Sequence, residues 1–181
     1  LSGVDHLVLL GIADPNRLGV MGWSYGGYMT SWIITQTNRF KAASVGAAVT
    51  NLLSFTGTTD IPSFLPNYLG SELWESDLLY RDRSPVLHSR GVATPTLIQH
   101  GALDERVPLT QGLELYNALR RQGVTTRMAV YPRSPHSINE PRLLLDAMYR
   151  NLEWFERHVR GLPTIASVPK TPEEPVKVIL H

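Results

Sequence analysis

The chain has no cysteine among its 181 residues. This absence excludes disulfides, thiolate zinc sites and a cysteine nucleophile. Because disulfides form in oxidising compartments, a chain without cysteine fits a reducing one, and we expect the protein in the cytoplasm. Long apolar runs are absent too, and the first residues show no signal-peptide pattern, so we expect no membrane partner.

An excess of one charge is also missing, because the formal net charge is only +1. We therefore expect no nucleic-acid partner. The six histidines are scattered with no pair at ligand spacing, so no metal site is predicted. No glycine-rich phosphate-binding motif is present, and we expect no cofactor. What the chain does have is an ordinary globular composition, with 43% hydrophobic and 18% charged residues.

Apolar runs alternate between strand-like and helix-like patterns along the chain. Strands are predicted at 18–22, 41–49, 95–101 and 127–131, and helices at 2–10, 26–37, 109–122 and from about 139 onward. Residues 50–93 are expected to be irregular. Strands that alternate with helices predict an α/β fold with a parallel sheet covered by helices on both faces.

The last helix and the residues after it carry two further patterns. Apolar residues at steps of three and four predict one apolar helix face, formed by Leu145, Met148, Leu152, Phe155 and Val159. The following residues are rich in proline, and 176–180 have the composition of a strand. We therefore divide the chain into a domain at 1–160 and a C-terminal tail at 161–181.

A glycine-rich motif follows the first predicted strand and reads Gly22-Trp23-Ser24-Tyr25-Gly26. The pattern G-x-S-x-G between a strand and a helix is typical of the nucleophile elbow of α/β-hydrolases, where a tight turn exposes the serine hydroxyl. We expect a Cβ at Gly22 or Gly26 to collide with the neighbouring strand or helix. The same turn would direct the backbone N–H of Tyr25 at the carbonyl oxygen of a substrate, as an oxyanion donor.

A serine nucleophile needs an adjacent base, and the base needs a carboxylate that orients it. In this fold the acid and then the histidine follow the serine along the chain, each on a loop after a strand. Asp104 follows the strand at 95–101, and His136 follows the strand at 127–131. These two residues are the predicted partners of Ser24.

Other readings exist for these positions. Glu105 is the rival acid, and we expect it to face solvent. His100 is the rival base, but it precedes the acid in the chain, so we expect it to be structural. Asp104 could instead cap the helix that begins after Pro108.

With these residues in place, residues 1–160 resemble the catalytic domain of the prolyl oligopeptidase family, in its dipeptidyl-peptidase and acylaminoacyl-peptidase-like branch. The matching motifs are Gly-Trp-Ser-Tyr-Gly-Gly-Tyr at 22–28, His-Gly-x-x-Asp at 100–104 with Val107-Pro108, and Tyr-Pro-x-x-x-His at 131–136. The resemblance implies a serine-type peptidase or carboxylesterase in which Ser24 is the nucleophile, His136 the base and Asp104 its orienting acid.

The resemblance also implies a substrate pocket beside the serine. It would place Tyr25 and Val107 next to the pocket for the residue that precedes the scissile bond. Phe64 and Tyr68 are further candidates for the pocket, although a place among ordinary core aromatics is an equally good interpretation of both.

Family members carry a β-propeller and several further strands before the elbow, so the resemblance implies that this chain lacks the N-terminal strands of the full fold. The second oxyanion donor, a tyrosine hydroxyl in many members, belongs to that part. We therefore expect a serine hydrolase that cleaves small ester or peptide substrates slowly, through an acyl-enzyme. The alternative is a non-catalytic or partner-dependent fragment of a larger enzyme of this family.

The missing strands would leave the strand at 18–21 unpaired on one side. An apolar, unpaired strand edge invites pairing with another chain. We therefore expect a homo-oligomer, or a partner chain that completes the sheet.

Overall fold

The computed structural model of the chain describes residues 1–163 and the backbone of 177–179. Its strands are β1 Gly19–Trp23, β2 Ala42–Gly46, β3 Thr96–Gly101, β4 Thr126–Tyr131 and β5 Lys177–Ile179. They form one sheet in the order β1-β2-β3-β4-β5. The first four strands pair in parallel, which confirms the predicted parallel sheet. The fifth, from the C-terminal tail, pairs with β4 in the antiparallel direction. The rest of the predicted tail strand lies outside the described residues.

The helices are α1 Ser2–Leu9, α2 Tyr25–Gln36, α3 Leu52–Phe55, α4 Phe64–Leu69, α5 Leu78–Asp82, α6 Leu109–Arg121 and α7 Pro141–His158, with a 3₁₀ turn at Pro85–His88. The expectation that residues 50–93 are irregular was therefore wrong. Three of these helices are four to six residues long. A segment of one or two turns is too short for a helical repeat of apolar residues to be recognised. A local contact marks the start of α3, where the Asn51 side chain accepts a hydrogen bond from Leu53 N at 3.1 Å.

Helices cover both faces of the sheet, as predicted. One face packs against α2 and α6 in a buried cluster that includes Ile34, Val45, Ile98, Leu115 and Met128. The opposite face packs against α7, where Trp154 is buried with Ala42 and Leu97. Because successive strand residues point to opposite faces, a strand with both faces covered has no exposed side. All five residues of β2 are accordingly buried.

The face that α7 turns towards the sheet differs from the predicted one. Phe155 and Val159 do pack beside a buried cluster. The other three residues of the predicted face are exposed, with relative accessibilities of 47% for Leu145, 60% for Met148 and 46% for Leu152. The buried face consists of Leu143, Ala147 and Trp154. The helix therefore has two apolar stripes, and periodicity alone does not say which of them meets the sheet.

The sheet has different neighbours at its two edges. Along the described residues β1 pairs with β2 alone, and the far edge of β4 is covered by β5. Within the same residues, no helix combines the length and the apolar character that crossing a bilayer requires.

Candidate active site

Ser24 lies at a sharp turn between β1 and α2. Its backbone has φ 58° and ψ −119°, a conformation that a residue with a side chain rarely adopts. Two backbone hydrogen bonds hold the turn, because Ser24 N donates to Gly46 O at 2.9 Å and Tyr28 N donates to Ser24 O at 2.9 Å. A strained residue that its surroundings hold in place is typical of a functional position.

The turn is possible because β1 and α2 approach each other closely. A Cβ on Gly22 would overlap the backbone of Gly26, so residue 22 has to be glycine. The corresponding expectation for Gly26 was wrong, since a Cβ there meets nothing within 4 Å. The second steric requirement falls on Gly27, where a Cβ would overlap Gly46 O and lie 2.9 Å from Ala48 Cβ.

Three side chains form a continuous hydrogen-bonded chain at the carboxyl ends of the strands. His136 Nε2 lies 2.8 Å from Ser24 Oγ, and His136 Nδ1 lies 2.9 Å from Asp104 Oδ2. The Asp104 side chain is fully buried, whereas a quarter of the His136 side chain is exposed. With the ring proton on Nδ1, His136 donates to Asp104 and accepts the serine proton at Nε2. This arrangement can activate a serine hydroxyl as a nucleophile.

The loops that carry the acid and the histidine are tied together. Leu103 N donates a hydrogen bond to Ser134 O at 3.0 Å. Asp104 is also held within its own loop, because Val107 N donates to Asp104 Oδ1 at 2.8 Å. Both carboxylate oxygens thus have partners, which fixes the plane of the carboxylate that faces His136.

The rival residues Glu105 and His100 lie outside the hydrogen-bonded chain of Ser24, His136 and Asp104. Glu105 is exposed. His100 is fully buried, with Nε2 2.7 Å from Val107 O and 3.5 Å from Asp104 Oδ2. Burial lowers the pKa of His100 and favours its neutral form. The ring therefore supports the loop of Asp104 from below instead of contacting Ser24.

A cavity of about 510 Å³ opens beside Tyr25, the neighbour of Ser24, and Tyr25, Phe64 and Tyr68 all contribute to its wall. These aromatics are exposed rather than part of the core. The Tyr25 and Tyr68 hydroxyl oxygens lie 3.3 Å apart. The hydrogen bond with Tyr68, together with partial desolvation of the hydroxyl, raises the pKa of Tyr25 to about 12, so its hydroxyl stays protonated. Val107, in contrast, is buried in a cluster beneath the cavity.

The rest of the wall is almost entirely apolar. It is formed by Tyr28, Met29, Trp32, Val49, Leu52, Leu65, Leu69, Leu79 and Arg83. Arg83 is the one charged side chain among these wall residues. Such a lining suits an apolar group of moderate size.

The N-terminus of α2 offers a hydrogen-bond donor next to Ser24. Tyr25 is the first residue of the helix, so its N–H has no acceptor within the helix. The helix dipole places partial positive charge at the same point. This donor can stabilise the negatively charged oxygen that forms when Ser24 Oγ attacks a carbonyl carbon.

Sequence reasoning missed one contact at this site. Trp23 Nε1 donates a hydrogen bond to the backbone oxygen of His136 at 2.8 Å. The two residues are 113 positions apart in the chain. No local pattern could have indicated the contact, although Trp23 belongs to the motif around the serine.

Comparison with known proteins gives relatives of much greater length. The chain is 39% identical over 150 residues to an uncharacterized peptidase, YuxL, of Bacillus subtilis, an alignment that covers 81% of this chain and 23% of that protein. It is 32% identical over 169 residues to the acylamino-acid-releasing enzyme of Arabidopsis thaliana, with coverage of 88% and 22%. The chain thus spans less than a quarter of the length of these relatives.

Solved structures share the fold. The acylaminoacyl peptidase of Pyrococcus horikoshii superposes with a TM-score of 0.82 at 28% identity, over 91% of this chain and 27% of that one. A puromycin hydrolase superposes with a TM-score of 0.82 at 26% identity, over 92% and 25% of the two chains. The sequence profile of the prolyl oligopeptidase family matches residues 1–161, and the chain belongs to that family.

Proposed function

We propose that the chain is the catalytic part of a serine hydrolase that cleaves ester or peptide bonds through an acyl-enzyme. The observation that carries the proposal is the hydrogen-bonded chain from Ser24 through His136 to the buried Asp104. A non-catalytic fragment would have no need of this geometry, so the alternative of an inert fragment is the weaker one. The names of the acylaminoacyl peptidase and acylamino-acid-releasing relatives also support a peptidase.

In the first half of the reaction, Ser24 Oγ bonds to the substrate carbonyl carbon and its proton passes to His136 Nε2. Asp104 stabilises the imidazolium that forms and holds the ring in place. The carbonyl oxygen becomes negative and accepts a hydrogen bond from Tyr25 N–H. When the bond to the leaving group breaks, the leaving group takes the proton from His136, and the acyl group remains on Ser24.

In the second half, water attacks the acyl carbon and gives a proton to His136 Nε2. The bond to Ser24 Oγ then breaks, Ser24 recovers the proton, and a carboxylic acid is released. Tyr25 N–H is the one oxyanion donor that we assign. Since the loss of one such donor costs about 10²–10³ in kcat in other enzymes, we expect slow turnover of the isolated chain.

The cavity supports a preference for substrates with an apolar group next to the scissile bond. Its wall brings Tyr25, the neighbour of Ser24, together with Phe64 and Tyr68. An apolar side chain or acyl group of the substrate would be removed from water there, which favours binding by about 25 cal/mol for each Å² buried. We propose small esters and short peptides of this kind as substrates.

Hydrolysis of p-nitrophenyl esters tests the proposal directly. We expect the wild-type chain to release p-nitrophenol faster from a hexanoyl than from an acetyl ester, because the cavity wall is almost entirely apolar. Ser24→Ala should abolish the reaction. Ser2→Ala, at an exposed serine of α1, is the matched control and should retain full activity. Equal rates for wild type and Ser24→Ala would refute the proposal.

A further inference from the structure

Trp23 connects the serine turn to the histidine loop. It is the last residue of β1 and directly precedes Ser24. Its indole N–H donates to the backbone oxygen of His136 at 2.8 Å. The backbone of Trp23 thus leads into the turn of Ser24, and its side chain binds the loop of His136.

The indole ring itself has little freedom. A Cβ on Gly46 of the neighbouring strand would overlap the ring, so the ring packs closely against β2 at this glycine. Trp23 also packs against a buried cluster that contains Ala129, Ile138 and Leu143. A ring held between a strand and a packed cluster keeps its N–H in a fixed direction.

The backbone of His136 has little other support. Among the described residues, the bond from Trp23 is the one hydrogen bond that the His136 backbone makes. Its neighbours Pro135 and Ser137 are both exposed. The two side-chain bonds of His136 change during proton transfer, whereas the bond from Trp23 does not take part in the chemistry and persists throughout.

We propose that Trp23 is a positioning residue that keeps His136 Nε2 within hydrogen-bonding distance of Ser24 Oγ. The inference rests on the proposed serine hydrolase function. It does not require Trp23 to contact the substrate. Loss of the N–H lets the exposed loop move, so the serine and imidazole spend less time in the reactive geometry, while the substrate cavity is unaffected.

The test compares two tryptophans that make the same kind of bond. Trp154, on α7, is buried, whereas Trp23 is partly buried, and Trp154 donates its indole N–H to the backbone oxygen of Pro95 at 3.3 Å. Trp23→Phe and Trp154→Phe each remove one indole N–H and keep an aromatic ring. We expect Trp23→Phe to lower kcat by about 10- to 100-fold, since a small misplacement of a reacting group has such an effect, with KM changed less than about twofold. Trp154→Phe should leave kcat within about twofold of wild type even if its unfolding midpoint drops.

A shape-matched replacement guards against misfolding of Trp23→Phe. Site-specific incorporation of benzothienylalanine at position 23 keeps the two-ring shape and replaces the N–H by sulfur. We expect the same loss in kcat with an unchanged circular dichroism spectrum. If wild type hydrolyses esters and all three variants have the same kcat as wild type, the positioning role is overturned while the proposed function stands. If wild type neither hydrolyses esters nor reacts with a fluorophosphonate, the proposed function fails and this inference fails with it.

Discussion

At the scale of single residues, the buried carboxylate of Asp104 has a partner on each oxygen. Oδ2 faces His136 Nδ1 at 2.9 Å and Oδ1 accepts from Val107 N at 2.8 Å. An amide in its place cannot accept at both positions, because its nitrogen only donates. Asp104→Asn should therefore favour the wrong tautomer of His136 and lower kcat by about 10³–10⁴-fold, the loss seen for this change in other serine hydrolases.

Glu105→Gln is the matched control for this prediction, because it makes the same chemical change at the next residue, which is exposed. Esterase assays should show full activity for Glu105→Gln. Comparable losses in both variants would mean that the orienting acid has been wrongly assigned.

His100 links folding stability to pH. Burial lowers its pKa, so the folded state keeps the ring neutral, whereas in the unfolded chain a histidine takes up a proton at about pH 6.5. Below that pH the unfolded state binds more protons than the folded one. Stability should thus be complete above about pH 6.5 and fall as the pH drops below it, by at most about 1.4 kcal/mol per pH unit.

Urea unfolding at pH 7.5 and 5.5 measures this contribution. The difference between the two free energies of unfolding should shrink in His100→Gln, in which the amide can still donate to Val107 O. It should be unchanged in His6→Gln, at an exposed position of α1. An undiminished pH dependence in His100→Gln would show that other groups carry it.

Residues of the candidate site differ in how far the sequence could predict them. Ser24, Asp104 and His136 could be named because each follows a strand, and the carboxyl ends of parallel strands meet at one edge of the sheet. The side-chain contact of Trp23 could not, because it depends on how a ring packs against strands distant in sequence. The place of Val107 beneath the cavity could not be predicted either, because the order of strands and loops does not fix which way a side chain points.

At the scale of elements, the junction of β1 and α2 distinguishes two glycines of one motif. Gly22→Ala should destabilise the fold by about 1–3 kcal/mol, the usual effect of overpacking, because the methyl group meets the Gly26 backbone. Gly26→Ala should be neutral or stabilising by up to about 1 kcal/mol, since its methyl group meets nothing and alanine favours helix. Thermal unfolding of the two variants measures the difference, and equal destabilisation would contradict the described turn.

The elements differ in how well their apolar patterns predict what they pack against. The order of apolar runs and turns predicted the positions of β1 to β4, α2 and α6, because each of these elements has a single apolar pattern in the sequence. On α7 the regular series of Leu145, Met148 and Leu152 is exposed, and the buried face is less regular. A periodic stripe shows that a helix has an apolar face, but the neighbouring elements decide whether that face is covered.

At the scale of the whole molecule, apolar side chains of β1 and α7 are among those exposed on the described surface. Met21 of β1 is 58% exposed on a strand that pairs on one side only within the described residues, and the α7 stripe adds Leu145, Met148 and Leu152. Since such edges and patches favour association, we expect the chain to self-associate at micromolar concentration in sedimentation velocity.

Charged substitutions test which surface carries this association. Met148→Lys should shift the chain towards the monomer, because it places a charge in the exposed stripe. Asn117→Lys adds the same charge at an exposed position of α6 and should have no effect. A wild-type chain that is folded and monomeric at micromolar concentration would contradict the prediction.

We propose that the serine turn, His136 and Asp104 together activate Ser24 alone among the serines of the chain. Labelling with a fluorophosphonate, followed by intact mass and peptide mapping, measures this without any assumption about the substrate. We predict one adduct per chain, located on Ser24, with much slower labelling in His136→Ala and none in Ser24→Ala. An adduct on another serine, or labelling of Ser24→Ala at the wild-type rate, would contradict it.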